Sequence, residues 1–71
     1  RPSEAAAQFE AALALDPAWA AAHNNLGIAL ASQGRLEEAI RHFQKALELQ
    51  PGLADAQRNL ALALDSRRVR R

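Results

Sequence analysis

Apolar and polar residues alternate with a helical period in the middle of the chain. The apolar residues recur at steps of three and four, at Leu36, Ala39, Ile40, Phe43 and Leu47. Polar residues fill the positions between them, at Glu37, Arg41, Gln44, Lys45 and Glu48. This spacing places the apolar side chains along one face of an α-helix. A second apolar stripe of the same kind precedes it, at Ala22, Leu26, Ala29 and Leu30.

Glycine and proline residues separate the helical stretches. Gly34 suits the left-handed turn that commonly follows a helix. Pro17 and Pro51 stop helices, because proline lacks an N–H group and clashes with the preceding turn. We therefore predict an all-α fold of about four helices, near residues 3–15, 20–33, 36–49 and 54–67. The connecting loops are short, so neighbouring helices should run antiparallel.

The chain repeats itself with a period of 34 residues. Of the 37 residue pairs that lie 34 positions apart, 15 are identical, and they include the pairs Phe9/Phe43 and Pro17/Pro51. The identities are spread over both helices of the unit. Because a period of about 20–50 residues is typical of repeat architectures, we predict stacked helix–turn–helix units that form an α-solenoid.

The repeated unit resembles the tetratricopeptide repeat family. The run "GRLEEAIRHFQKALELQP", which starts at Gly34, is close to the consensus of that family. The positions at which the family favours particular small and large residues are matched at Leu26, Gly27, Leu30, Gly34, Ala39, Phe43, Ala46 and Pro51. The aromatic residue usual in the first helix of the family is absent, since His23 and Leu30 stand at sites often taken by Trp and Tyr.

This resemblance implies a division of the chain into parts. Residues 1–19 would be the second helix of one repeat, residues 20–53 a complete repeat, residues 54–67 the first helix of a further repeat, and residues 68–71 a basic tail. It also implies a right-handed superhelix whose first helices line a concave surface, on which extended peptides lie. The chain begins in mid-pattern without methionine, which suggests a piece of a longer array.

On that alignment the concave surface carries a set of candidate peptide-binding residues. They are Asn24, Asn25, Ile28, Arg58, Asn59 and Leu62. Asn25 and Asn59 are one period apart, and a primary amide can both donate to and accept from a peptide backbone. The runs "NNLGIAL" and "RNLALAL" are similar to the asparagine-ladder repeats of O-GlcNAc transferases. We therefore expect a protein–protein interaction module that holds an extended peptide.

Two alternatives stay open for the partner. Some family members clamp a C-terminal carboxylate, and Asn25 with Arg58 could contribute to such a clamp, although Asp55 would repel the ligand. The second alternative is a structural role in which repeats stack on copies of the chain as a homo-oligomer, through end faces that carry Phe9, Leu13, Leu60 and Leu64.

Four residues are expected to pack rather than to bind. They are Phe9, Trp19, Leu26 and Phe43. Phe9 and Phe43 would fill the space between helices whose contact points carry alanine. Trp19 stands just before a helix, where an apolar residue can staple the start of that helix.

The distribution of charge and the types of reactive side chain limit the possible functions further. The net charge is +1, but residues 1–66 carry five positive and eight negative charges, which gives 5 − 8 = −3. The basic tail could attract acidic partners, yet the body of the chain offers no basic face for nucleic acid. The sequence has no cysteine, and His23 and His42 are 19 residues apart with no motif around them. We therefore expect no enzyme, no cofactor, no metal and no membrane span, and localisation is not readable.

Overall fold

Four helices make up the protein. The computed structural model describes residues 1–69, with α1 at Pro2–Leu15, α2 at Ala20–Ser32, α3 at Leu36–Leu49 and α4 at Ala54–Val69. The all-α prediction is confirmed, and the predicted helix bounds differ from these by at most two residues. The basic tail was predicted to start at residue 68, but α4 includes residues 68 and 69, while Arg70 and Arg71 lie outside the described residues.

The turn between α2 and α3 has the hydrogen bonds of a Schellman motif. The Arg35 N–H donates to the Leu30 carbonyl at 2.9 Å, and the Gly34 N–H donates to the Ala31 carbonyl at 3.0 Å. Gly34 has a φ of 80°, which is in the left-handed region that a residue with a Cβ adopts only at a cost. Glycine at this position therefore closes the helical hairpin.

The turns before α2 and α4 share two backbone hydrogen bonds at equivalent positions. After α1, the Asp16 N–H donates to Ala12 at 2.9 Å and the Trp19 N–H donates to Asp16 at 3.2 Å. One period later, Gln50 donates to Ala46 at 2.8 Å and Leu53 donates to Gln50 at 3.0 Å. The period of 34 residues seen in the sequence is therefore also a period of the backbone hydrogen bonds.

The helices pack in chain order, each against the next, and α2 also contacts α4. Since α2 touches all three other helices, most of its residues are buried, whereas α1 buries only Ala6 and α4 only Ala56 and Ala63. The core cluster is made of Ala6, Leu26, Ala29, Leu30, Ala39, Ile40, Phe43 and Ala63. The chain is thus a thin assembly of 36 × 28 × 14 Å in which the outer faces of α1 and α4 remain largely exposed. None of the described helices is long and apolar enough to cross a membrane.

Candidate functional site

An open groove of about 630 Å³ lies between α2 and α4. It is lined by Ile28, Ala31 and Ser32 of α2, Leu36 and Phe43 of α3, and Asn59, Leu62, Ala63, Asp65, Ser66 and Val69 of α4. Ile28 and Leu62 are one period apart, and 45% and 61% of their surfaces are exposed. Apolar side chains with this much exposure on two adjacent helices form a surface that a partner can cover.

Asn59 lines this groove and is held by a buried amide. The Asn59 Nδ2 atom donates to the Oδ1 atom of Asn24 at 3.0 Å, across the contact between α2 and α4. Asn24 is only 5% exposed, so the hydrogen bond replaces contacts with water that its amide oxygen has lost. The structure therefore gives the two residues different positions, with Asn24 beneath the surface and Asn59 in the groove.

Asn25 lies in a second, smaller groove between α1 and α2. This groove has a volume of about 350 Å³ and is lined by Arg1, Pro2, Ala5, Phe9, Asn25, Ile28, Ala29 and Ser32. Ile28 therefore borders both grooves, whereas Asn25 and Asn59 face different ones. The two asparagines are equivalent in sequence but do not share one groove within this chain.

Arg58 does not line either groove. Its guanidinium donates to the Asp55 carboxylate at 2.8 Å on the exposed side of α4. Exposed ion pairs of this kind contribute about 0–1 kcal/mol to stability. The position and pairing of Arg58 leave it poorly placed to clamp a carboxylate in the groove.

The four residues expected to pack have unequal burial. Leu26 and Phe43 are 1% and 2% exposed, and both belong to the core cluster. Phe9 is partly buried and packs against that cluster from α1. Trp19 is 50% exposed, and its backbone carbonyl accepts from the N–H groups of Ala22 and His23 at the start of α2. With half of its surface exposed, the Trp19 side chain packs only partly against the rest of the protein.

The two histidines meet, although nothing in their spacing predicts it. The Nδ1 atoms of His23 and His42 are 3.1 Å apart, and the rings stack with their centroids at 5.3 Å. The Nε2 atom of His23 lies 2.9 Å from the Pro17 carbonyl. Because a carbonyl only accepts, His23 carries its proton on Nε2 and accepts at Nδ1, so His42 donates its Nδ1 proton. When both rings are neutral, the Nδ1 atom of His42 donates to the Nδ1 atom of His23, so both atoms have a hydrogen-bond partner.

The environment of His42 makes stability depend on pH. Burial, followed by the proximity of His23, lowers the pKa of His42 below its ordinary value of 6.5. The unfolded chain therefore takes up a proton first as pH falls, and the native state loses relative stability below pH 6.5. We expect urea denaturation to show a lower free energy of unfolding at about pH 5.5 than at about pH 7.5.

The His42→Gln variant is the control for this prediction. Glutamine at position 42 can still donate to the Nδ1 atom of His23, but it has no proton to gain. Its loss of stability between the two pH values should be smaller than that of the unchanged chain. Equal losses in the two proteins would assign the pH dependence to other groups.

The described residues offer no arrangement for metal chemistry. Among residues 1–69, no three or more histidine, aspartate or glutamate side chains are grouped so that they could hold a metal ion. The Glu38 carboxylate, four residues before His42 on α3, is engaged by the Arg35 guanidinium through two hydrogen bonds of 2.8 Å.

A comparison with protein families identifies the repeat. A model of the tetratricopeptide repeat family matches residues 20–53, which span α2, the Gly34 turn and α3. Repeats of this family generally mediate protein–protein interactions and are typically not enzymes. No curated protein matches the chain. Residues 20–53 therefore correspond to one tetratricopeptide repeat.

Proposed function

We propose that the chain is a protein-interaction module that holds an extended peptide in the groove between α2 and α4. The observation that carries this proposal is the row of groove residues at equivalent positions of the two helices. Ile28 and Leu62 expose apolar surface there. Asn59 adds a side-chain amide that is held in one orientation by its hydrogen bond to Asn24. An extended peptide exposes backbone N–H and C=O groups along its whole length, so it can use such an amide and such apolar contacts at once.

The contact with Asn24 prepares Asn59 for this role. One N–H of the Asn59 amide is used by Asn24, which leaves a second N–H and the carbonyl oxygen for a ligand. Because the amide is already oriented, little side-chain entropy is lost when a peptide binds. Asn24 thus acts as a positioning residue, while direct contact with the peptide is proposed for Ile28, Asn59 and Leu62.

The charge of the groove favours an internal peptide segment over a C-terminal carboxylate. Within residues 1–69, its lining includes one carboxylate, that of Asp65, and no lysine or arginine. A free carboxylate would be repelled by Asp65 and would find no cation among these lining residues, since Arg58 pairs with Asp55 outside the groove. We therefore propose a preference for apolar side chains with a neutral or basic neighbour. That Asn25 and Asn59 act as an asparagine ladder like that of O-GlcNAc transferases stays a prediction.

The test is a peptide-display selection on the purified chain, with free and amidated C-termini compared. The Leu62→Ser variant removes exposed apolar surface from the groove with little effect on the core, because Leu62 is 61% exposed. The Asn59→Ala variant removes the amide, and one lost hydrogen bond of about 0.5–1.5 kcal/mol corresponds to a loss of affinity of roughly 2- to 12-fold. Arg58→Ala, one residue away and outside the groove, is the control.

Selected peptides should bind Arg58→Ala as tightly as the unchanged chain and bind the two groove variants more weakly. Circular dichroism of each variant separates loss of binding from loss of fold, which matters for Asn59→Ala because Asn24 would lose its partner. Binding that is indifferent to Leu62→Ser would contradict the proposed groove. Selection that requires a free carboxylate would favour the clamp instead.

A further inference from the structure

The groove between α1 and α2 is lined by residues whose equivalents, one period later, lie on the two helices against which α2 packs. Its lining residues, moved forward by one period, become Arg35, Leu36, Ala39, Phe43, Asn59, Leu62, Ala63 and Ser66. These lie on α3 and α4, and α2 packs against both of those helices. The groove between α1 and α2 is therefore shaped to receive a helix that resembles α2.

The helix in this chain that resembles α2 is α4. Over residues 20–32 and 54–66 the two helices are identical at seven positions, including the pairs Leu26/Leu60 and Leu30/Leu64. Leu26 and Leu30 are each 1% exposed and belong to the core cluster, which includes Ala39, Ile40 and Phe43 of α3. Leu60 is only partly buried and Leu64 is 36% exposed. Within residues 1–69, α4 thus presents the apolar face of α2 with less of it covered.

We propose that α4 of one copy docks into the groove between α1 and α2 of a second copy, so that the chains stack head to tail. In this contact α4 takes the role of α2, and α1 of the second copy takes the role of α3. A complete repeat is thereby formed from two chains. This inference goes beyond the proposed peptide binding and does not rest on it.

Polar residues support this occupant. Inside the chain, His23 contacts the Pro17 carbonyl and His42. One period later Gln57 occupies the position of His23, and its Nε2 atom donates to the Pro51 carbonyl at 2.8 Å. The residue equivalent to His42 on α1 is Gln8. Its side-chain amide in the second copy can donate to the carbonyl oxygen of Gln57, which repeats the histidine contact with two glutamines.

The packing at the new contact differs from that inside the chain by a compensating pair of substitutions. Ala61 stands where α2 has Gly27, so α4 brings one more methyl group toward Phe9 of the second copy. Three residues before Phe9, on the same helix, Ala6 stands where α3 has the larger Ile40. We propose that the smaller alanine lets the Phe9 ring move away from that methyl group.

A contact of this kind joins two different surfaces of each chain, so it does not close on itself. Such a head-to-tail contact produces an open series of oligomers rather than a dimer. We therefore expect the mean mass in sedimentation or light scattering, without any peptide, to rise continuously with concentration beyond that of two copies.

The test uses two variants with the same change in charge. Ala61→Glu places a carboxylate on the exposed docking face of α4, and Ala11→Glu places one on α1 at the position equivalent to the exposed Lys45. Because an unpaired carboxylate would have to be buried against Phe9, Ala61→Glu should raise the dissociation constant by about a hundredfold or more. Ala11→Glu should associate as the unchanged chain does.

A mixing experiment tests the direction of the contact. Ala5→Glu blocks the groove, since Ala5 lines it, while leaving α4 free. Ala61→Glu blocks α4 and leaves the groove free. Each variant alone should be monomeric, and an equal mixture should form a complex of one copy of each that grows no further. A strict monomer of the unchanged chain, an assembly that stops at two identical copies, or association unaffected by Ala61→Glu would each overturn the proposal. Because Ile28 borders both grooves, peptide binding is measured separately, at a protein concentration at which the chain is monomeric.

Discussion

The Phe43→Ala variant is expected to lose about 3–5 kcal/mol of its free energy of unfolding, the range found for truncation of a buried phenylalanine. Phe43 is 2% exposed, lies in the core cluster and packs against Gly27 of α2. A domain of 71 residues has a total stability of about 4–11 kcal/mol. The loss is therefore a large part of the whole, and urea denaturation followed by circular dichroism should show a much lower midpoint.

Phe9→Ala is the matched control, since Phe9 holds the same position one period earlier. Its side chain is only partly buried, so less contact with other residues is lost when it is truncated. We expect a loss clearly smaller than that of Phe43→Ala, measured at a protein concentration at which the chain is monomeric. Equal losses would mean that α1 contributes as much to the core as α3 does, which the burial of the two rings contradicts.

The difference between these two phenylalanines could be anticipated from the sequence only in part. The 34-residue period predicts that both rings face a neighbouring helix, and the structure puts both against the core cluster. How deeply each is buried depends on how many helices surround it. The repeat period therefore predicts which side chains face a neighbouring helix. How deeply such a side chain is buried depends on whether its helix lies at the end or in the middle of the stack.

The end of α4 shows how a local signal decides a helix boundary. The prediction ended this helix near residue 67 by analogy with α2, but the helix continues to Val69. Arg68 stands at the position of Gly34, which follows α2 with a φ of 80°. Arginine favours the helix interior and does not adopt the left-handed conformation readily, so the helix continues.

The polar pairs lay beyond sequence reasoning. Asn24 was expected to line the groove, and its burial beneath Asn59 depends on the rotation of α2 against α4. The contact between His23 and His42 likewise joins two helices, and a spacing of 19 residues along the chain gives no distance across them.

Gly27→Ala is the second substitution for which we expect a large effect on the free energy of unfolding. Two opposing contributions decide whether the variant is more or less stable. In an exposed helix interior, alanine is about 1 kcal/mol more favourable than glycine. Here, however, a Cβ at position 27 would lie 2.5 Å from a ring carbon of Phe43 and within 2.9 Å of two more. The ring is buried and cannot move away freely, and overpacking of a core costs about 1–3 kcal/mol.

The cost of overpacking should exceed the gain in helix propensity. We therefore expect Gly27→Ala to lower the free energy of unfolding by about 1–2 kcal/mol in urea denaturation. Gly52→Ala is the control, because a Cβ at that position meets no atom within 4 Å and the φ of Gly52 is not positive. The same substitution there should be close to neutral or slightly stabilising. A stabilised Gly27→Ala variant would mean that Phe43 yields easily and that the two helices are not held at this distance.

A double-mutant cycle tests whether the cost belongs to this one contact. In a Phe43→Leu background the flat ring is replaced by a smaller side chain, so a methyl group added at position 27 has space. Gly27→Ala should then cost less than it does beside Phe43, and it should approach the gain of about 1 kcal/mol set by helix propensity alone. Additive effects of the two substitutions would place the strain elsewhere on α2. Non-additive effects would establish that Gly27 is needed because Phe43 fills the space above it.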